Sequence, residues 1–158
     1  MLNQTDLNYT ITEFQKLVAA AEKAYYPVVY FCGADQETRS QVLEAAAAVM
    51  SWPYLAIALP LAERLSAVPA NNRTRHLERE LDVLLPDSRT LILDRIELLF
   101  DRDLQVNPLQ LLQSLSRRYH LLVSWPGQLL DMKLVYAQPW HSEYCSYPAD
   151  NLLIHTMI

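Results

Sequence analysis

Glycine is scarce in this chain. Only Gly33 and Gly127 occur among 158 residues, so a loop that needs two glycines close together is incomplete here. Cysteine is scarce as well. Cys32 and Cys145 are the only two, which excludes a disulfide framework and points to a reducing, cytoplasmic compartment. Basic residues do not dominate: the formal net charge is −5 and the pI is near 5.3. The chain as a whole therefore has no electrostatic footprint for nucleic acid, and DNA contact would need a local patch. The longest apolar stretch, residues 45–62, is interrupted by Pro53 and Pro60, so a buried helix–strand pair is expected in place of a membrane span. The opening residues MLNQTDLNYTITEF have neither a basic region nor an apolar core, and no export is expected. Internal repeats, low-complexity tracts and linkers are missing too, so one domain over residues 1–158 is expected.

What is present is globular in character, 51% hydrophobic and 20% charged. Residues 11–25 carry an apolar stripe behind a capping box of Thr10 and Glu13, which predicts a helix. VVYFC at 28–32 is a continuous β-branched and aromatic run, the pattern of a strand buried on both faces. A helix over 37–50 and a strand over 54–59 follow. LAERLSAV and residues 73–85 read as helices, and 89–94 as a third strand. Asn107 is a good N-cap and Pro108 suits the first helical position, predicting a helix over 107–119. Residues 120–125 and 133–138 complete a predicted set of five strands, with NLLIHTMI at 151–158 as a further edge strand or docking extension beginning near residue 139. Alternating helices and strands indicate an α/β domain with a mostly parallel sheet.

The chemistry-bearing stretch is GADQETRS, residues 33–40. It has the length and end-points of a phosphate loop, G-x-x-x-x-G-K-[ST], at a strand-to-helix junction. Such loops hold phosphates with backbone N–H groups and a helix N-terminus, a lysine adds charge, and a hydroxyl binds magnesium. Ser40 keeps the hydroxyl, but Thr38 stands at the second glycine and Arg39 at the lysine. The apolar strand TLILD ends in Asp94, an acid suited to help hold the metal. Either signal alone is weak, and the pair is more specific.

With LILDRIELLF and NPLQLLQSLSRRYHLLVSWPG, these motifs resemble the AAA-type branch of P-loop ATPases. More narrowly, they resemble the BrxF family, the small P-loop proteins of type 3 BREX systems that defend bacteria against phage. The resemblance implies a three-layer P-loop NTPase-like fold without a C-terminal helical lid. It implies degenerate nucleotide positions at Gly33, Thr38, Arg39, Ser40, Asp94 and Ser124, the last as a sensor at a strand end. Ser40 and Asp94 would hold magnesium if Mg-ATP bound, and that binding is expected to be weak or absent. Asp94 and Glu97 are the candidate catalytic groups.

Three departures weigh against turnover. Thr38 adds a β-branched side chain where glycine's freedom is needed. Arg39 is a planar fork that cannot take a lysine's place between phosphates. Arg95 follows Asp94 where the AAA pattern has a glutamate to orient water. Negligible hydrolysis by the chain alone is expected. The function that follows is a non-catalytic, weakly nucleotide-binding subunit of a BREX assembly acting through protein–protein contacts. The alternatives are a small ATPase completed in trans by a partner or a second copy, and a DNA-binding accessory subunit using Arg73, Arg75, His76 and Arg79. Trp140, Tyr144 and Tyr147 make the C-terminal segment a candidate docking surface. Arg117 and Arg118, at the end of a predicted helix, either complement its dipole or reach a partner. His141, Glu143 and Cys145 alternate in a way that a strand would place on one face, a spacing also considered for zinc.

Overall fold

The computed structural model describes residues 2–157. Eight strands and five α-helices follow in the order α1 (Gln4–Ala21), β1 (Val28–Gly33), α2 (Gln36–Met50), β2 (Tyr54–Ala56), α3 (Ala58–Ser66), α4 (Arg73–Leu84), β3 (Thr90–Asp94), α5 (Pro108–Leu115), β4 (His120–Ser124), β5 (Gln128–Leu130), β6 (Lys133–Tyr136), β7 (Cys145–Pro148) and β8 (Leu153–Met157). Five of the strands form one all-parallel sheet in the order β2-β3-β4-β1-β8. The fold is α/β, as the alternation of elements predicts.

Side-chain alternation along these strands divides the core in two. Val29, Phe31, Ile92 and Leu122 face α1 and α2, packing with Phe14, Val42, Leu43 and Ala46. Val28, Tyr30, Leu91, Leu93, Leu121 and Val123 face the other way, onto Leu61, Leu77, Leu81 and Leu112 of α3, α4 and α5. Both faces of the sheet are covered, which is why its strands read as unbroken apolar runs.

The fifth parallel strand is not the one expected. Residues 133–136 belong to a second, three-stranded antiparallel sheet, β5-β6-β7. Asp131 and Met132 both have positive φ, 50° and 59°, the backbone twist of a tight two-residue hairpin. That turn folds β6 back onto β5 and keeps it out of the main sheet. The vacant edge beside β1 is taken by β8, paired in parallel from Val29↔Leu153 to Gly33↔Met157.

Other boundaries shift for local reasons. The first helix starts at Gln4, capped by Asn3, whose side chain accepts from Asp6 N at 2.8 Å. Thr10 is buried inside it and is not a cap. The strand predicted over 54–59 ends at Ala56 because α3 starts at Ala58, with Pro60 in its first turn, where a missing N–H costs nothing. The fifth helix stops at Leu115, earlier than expected, and Asn107 caps it as predicted. Among the described residues no α-helix follows β4.

His155 of β8 sits among aromatic rings, 5.8 Å from Phe14, 6.0 Å from Phe31 and 6.4 Å from Tyr9. Burial lowers its pKa from 6.5, against a weaker opposing pull from Glu13 of α1. The folded state therefore prefers the neutral ring. This contribution to stability is complete above pH 6.5 and is lost as pH falls through that value toward the lower folded pKa. Urea midpoints measured from pH 7.5 to 5 should fall more steeply for the native chain than for His155→Phe; parallel curves would remove His155 as the cause.

Candidate functional site

The carboxyl ends of β1, β3 and β4 meet at one place, and Gly33, Arg39, Ser40, Asp94 and Ser124 lie together there. Asp94 is fully buried. Its Oδ2 accepts from Ser40 Oγ at 2.6 Å and from the Tyr54 hydroxyl at 2.5 Å. Its Oδ1 accepts from Gln36 Nε2 at 3.0 Å and from the Arg95 backbone N–H at 2.8 Å. Burial alone would raise the Asp94 pKa, but these four donors outweigh it and hold the carboxyl below its usual range. Both oxygens are therefore engaged by the chain itself. Tyr54, the strongest unforeseen member, has its own pKa raised by burial and by this hydrogen bond. Nothing in the sequence near Tyr54 pointed to Asp94; only the pairing of Ala56 with Asp94 across β2 and β3 brings the phenol into reach.

Arg39 is only 5% exposed. Its Nε donates to Ser124 Oγ at 3.0 Å, and Nη1 donates to the carbonyls of Gly33 and Ala34 at 3.3 and 3.1 Å. Nη2 donates to Gln36 Oε1 at 2.9 Å. Burial depresses its pKa, while Asp94 and Glu97 oppose that shift. Every acceptor that touches Arg39 is neutral. Gln36 joins the two charges, giving its NH2 to Asp94 and its oxygen to Arg39, so cation and anion are coupled through one amide.

The loop between β1 and α2 is short. Gly33 and Ala34 both have positive φ, 85° and 53°, and helix α2 begins at Gln36 behind the N-cap Asp35. The Asp35 side chain accepts from Thr38 N at 2.7 Å, which places a carboxylate at the helix N-terminus and occupies the Thr38 N–H. The loop carbonyls turn toward the Arg39 guanidinium, the opposite polarity from a cradle of N–H groups. Gly33 cannot be replaced here: a Cβ would lie 2.0 Å from the Met157 carbonyl oxygen.

Glu97 opens a short 3-10 helix over Glu97–Phe100, partly buried. The strand ends at Asp94, as the sequence predicts, because Arg95 has φ 51° and turns the chain. Arg95 lies 3.7 Å from Glu37 as an exposed ion pair.

The proposed docking residues divide. Trp140 is 83% exposed and Tyr144 39%. Tyr147 is half-buried in β7, 6.1 Å edge-on from Trp125, and belongs to the second sheet's packing. Arg117 is exposed, whereas Arg118 forms an ion pair with Asp82 of α4 and lies over the Tyr119 ring. Both arginines follow α5 and are not in its last turn, because that helix ends at Leu115. On α4, Arg73 turns back onto the carbonyls of Leu65 and Val68, and Arg79 bonds His76. The His141–Cys145 stretch is a turn as far as Tyr144, with the His141 ring accepting from Glu143 N at 3.0 Å. Among the described residues no group of three His, Cys, Asp or Glu side chains is placed to hold a metal. Among the described residues no helix is long and apolar enough to cross a membrane.

Comparison of the chain with protein-family models finds no match, and neither the curated proteins nor the solved structures yield one.

Proposed function

We propose that this chain is a non-catalytic interaction subunit of a multi-protein assembly, built on a P-loop-like α/β domain whose reactive positions have become structural. One observation carries the reading: both oxygens of the acid and four of the five N–H donors of the cation are engaged by the chain itself. Phosphoryl transfer needs groups aimed at the nucleotide and its metal. Here Asp94 is surrounded by Ser40, Tyr54, Gln36 and the Arg95 N–H, and Arg39 is tied to loop carbonyls. Opening such a cluster for Mg-ATP would leave several buried polar groups unpaired, each costing about 1–3 kcal/mol.

The resemblance of residues 90–127 to the BrxF family supports a BREX-type phage-defence complex as the assembly, with larger ATPase, methyltransferase or DNA-recognition subunits as partners. Exposed Trp140 and Tyr144 supply the rigid aromatic area favoured at interfaces. The test is co-purification with the other subunits of a type 3 BREX system. Trp140→Ala with Tyr144→Ala should lower recovery of the complex about tenfold, with the variant's far-UV circular dichroism unchanged. Undiminished recovery would remove this surface from the proposal.

A second reading, an ATPase completed in trans, is favoured by the retained Ser40–Asp94 contact of 2.6 Å beside Ser124. Turnover assays with and without partners separate the two. The interaction reading expects no magnesium-dependent hydrolysis attributable to this chain. Turnover that appears with a partner and disappears in a folded Ser40→Ala variant would replace it with the enzyme reading.

A further inference from the structure

The strand connections leave a crevice beside the proposed docking surface, with Tyr144 in its lining. After β1 the chain crosses to the face covered by α1 and α2, while after β4 it passes to the opposite face through the β5–β7 sheet. Adjacent parallel strands whose connections diverge in this way create a ligand-sized cleft at their carboxyl ends. The cleft here measures about 660 Å³, within the range of small-molecule sites. Both glycines of the chain line it. At Gly127 a Cβ would lie 1.7 Å from the Val135 carbonyl oxygen, so the walls can approach only without a side chain there.

Arg39 forms part of the inner wall, and Lys133 reaches the cleft from the hairpin. Among the described residues Asp131 is the one lining side chain with a carboxylate, against the two lining cations. Four hydrogen bonds to neutral acceptors occupy all but one of the Arg39 N–H donors. Asp94 reaches the guanidinium only through Gln36, so no carboxylate touches it. Leu130 and Val135, on the same face of the hairpin as Lys133, supply an apolar wall.

We propose that this cleft binds a small organic monoanion, a carboxylate on an apolar body, with Lys133 and the Arg39 guanidinium taking the charge and Leu130 and Val135 the body. A single excess positive charge suits one carboxylate and is too little for a polyphosphate. The site joins Gly33, Ala34 and Arg39 of the phosphate-loop motif to hairpin residues outside it, and shares Tyr144 with the proposed docking surface.

The test uses phenylacetate and hexanoate as probes, with phenylacetamide as the uncharged isostere, followed by two-dimensional NMR of the full chain. Both carboxylates should shift the Arg39 Nε–H and the amides of residues 127–135, and phenylacetamide should bind at least about tenfold more weakly. Exposed Lys133 can be changed without disturbing the core, and Lys133→Gln should weaken carboxylate binding by about tenfold. Equal binding of acid and amide, no binding of any probe, unchanged affinity in Lys133→Gln, or tighter binding of ATP than of the carboxylates would each overturn the proposal.

Discussion

Replacing Asp94 with alanine should destabilise the fold by about 3–5 kcal/mol, the range for leaving buried charged and polar partners uncompensated. The reason lies in the number of groups that converge on one carboxylate. Ser40, Tyr54, Gln36 and the Arg95 backbone all donate to it, and three of these come from elements other than β3. Its loss also removes the counter-charge that reaches Arg39 through Gln36. Removing single donors should cost far less, about 1 kcal/mol each for Tyr54→Phe and Ser40→Ala. Urea unfolding followed by circular dichroism measures both. The carboxyl is held below its ordinary pKa, so its stabilisation is complete above about pH 4 and is lost as pH falls through the folded value. An Asp94→Ala variant as stable as the native chain would show that these bonds merely fill space, and would remove the basis for regarding the site as closed.

A loss of similar size, about 3–5 kcal/mol, should follow Trp125→Ala. Trp125 is the largest fully buried side chain. It lies directly after β4, edge-on to Tyr30 at 6.1 Å and to Phe100 at 5.1 Å. Its Nε1 donates to the Val135 carbonyl of β6 at 3.0 Å. One residue thus anchors the three-stranded sheet to the parallel one, through ring packing and a hydrogen bond together. Hydrogen exchange should accelerate most in β5, β6 and β7, and much less in β3, where only the global change is felt. Trp125→Phe should recover most of the packing while losing the hydrogen bond. Uniform acceleration across both sheets would mean that the indole supports the whole core and not the junction.

The two sets of contacts differ in how visible they are in one dimension. Ser40 and Asp94 could be matched because each closes an element with a recognisable pattern, a helix start after an apolar strand and an acid after another. Their 2.6 Å contact follows from that placement. Tyr54, Gln36 and Trp125 belong to no such pattern. Tyr54 opens a short strand, Gln36 occupies the first turn of a helix, and Trp125 follows the strand β4. Each acquires its role from a neighbour far away in the chain. The misplaced fifth strand has a similar origin. Residues 133–138 and 153–157 have comparable local preference, and the choice between them rests on a two-residue turn and on which edge stays open beside β1.

Periodicity and composition therefore carry the layered α/β class and the buried parallel strands, since these depend on short-range patterns of apolar and polar residues, whereas the expected meeting of Ser40 with Asp94 rests on the phosphate-loop motif and its paired strand-end acid. Whether the site stands open or closed is not written in those patterns. The carbonyls of Gly33 and Ala34 turn toward Arg39, and Gln36 bridges that cation to Asp94, only once β1, β3 and β4 lie side by side. Long-range hydrogen bonds between buried groups form where packing excludes water, and packing is a property of the assembled chain.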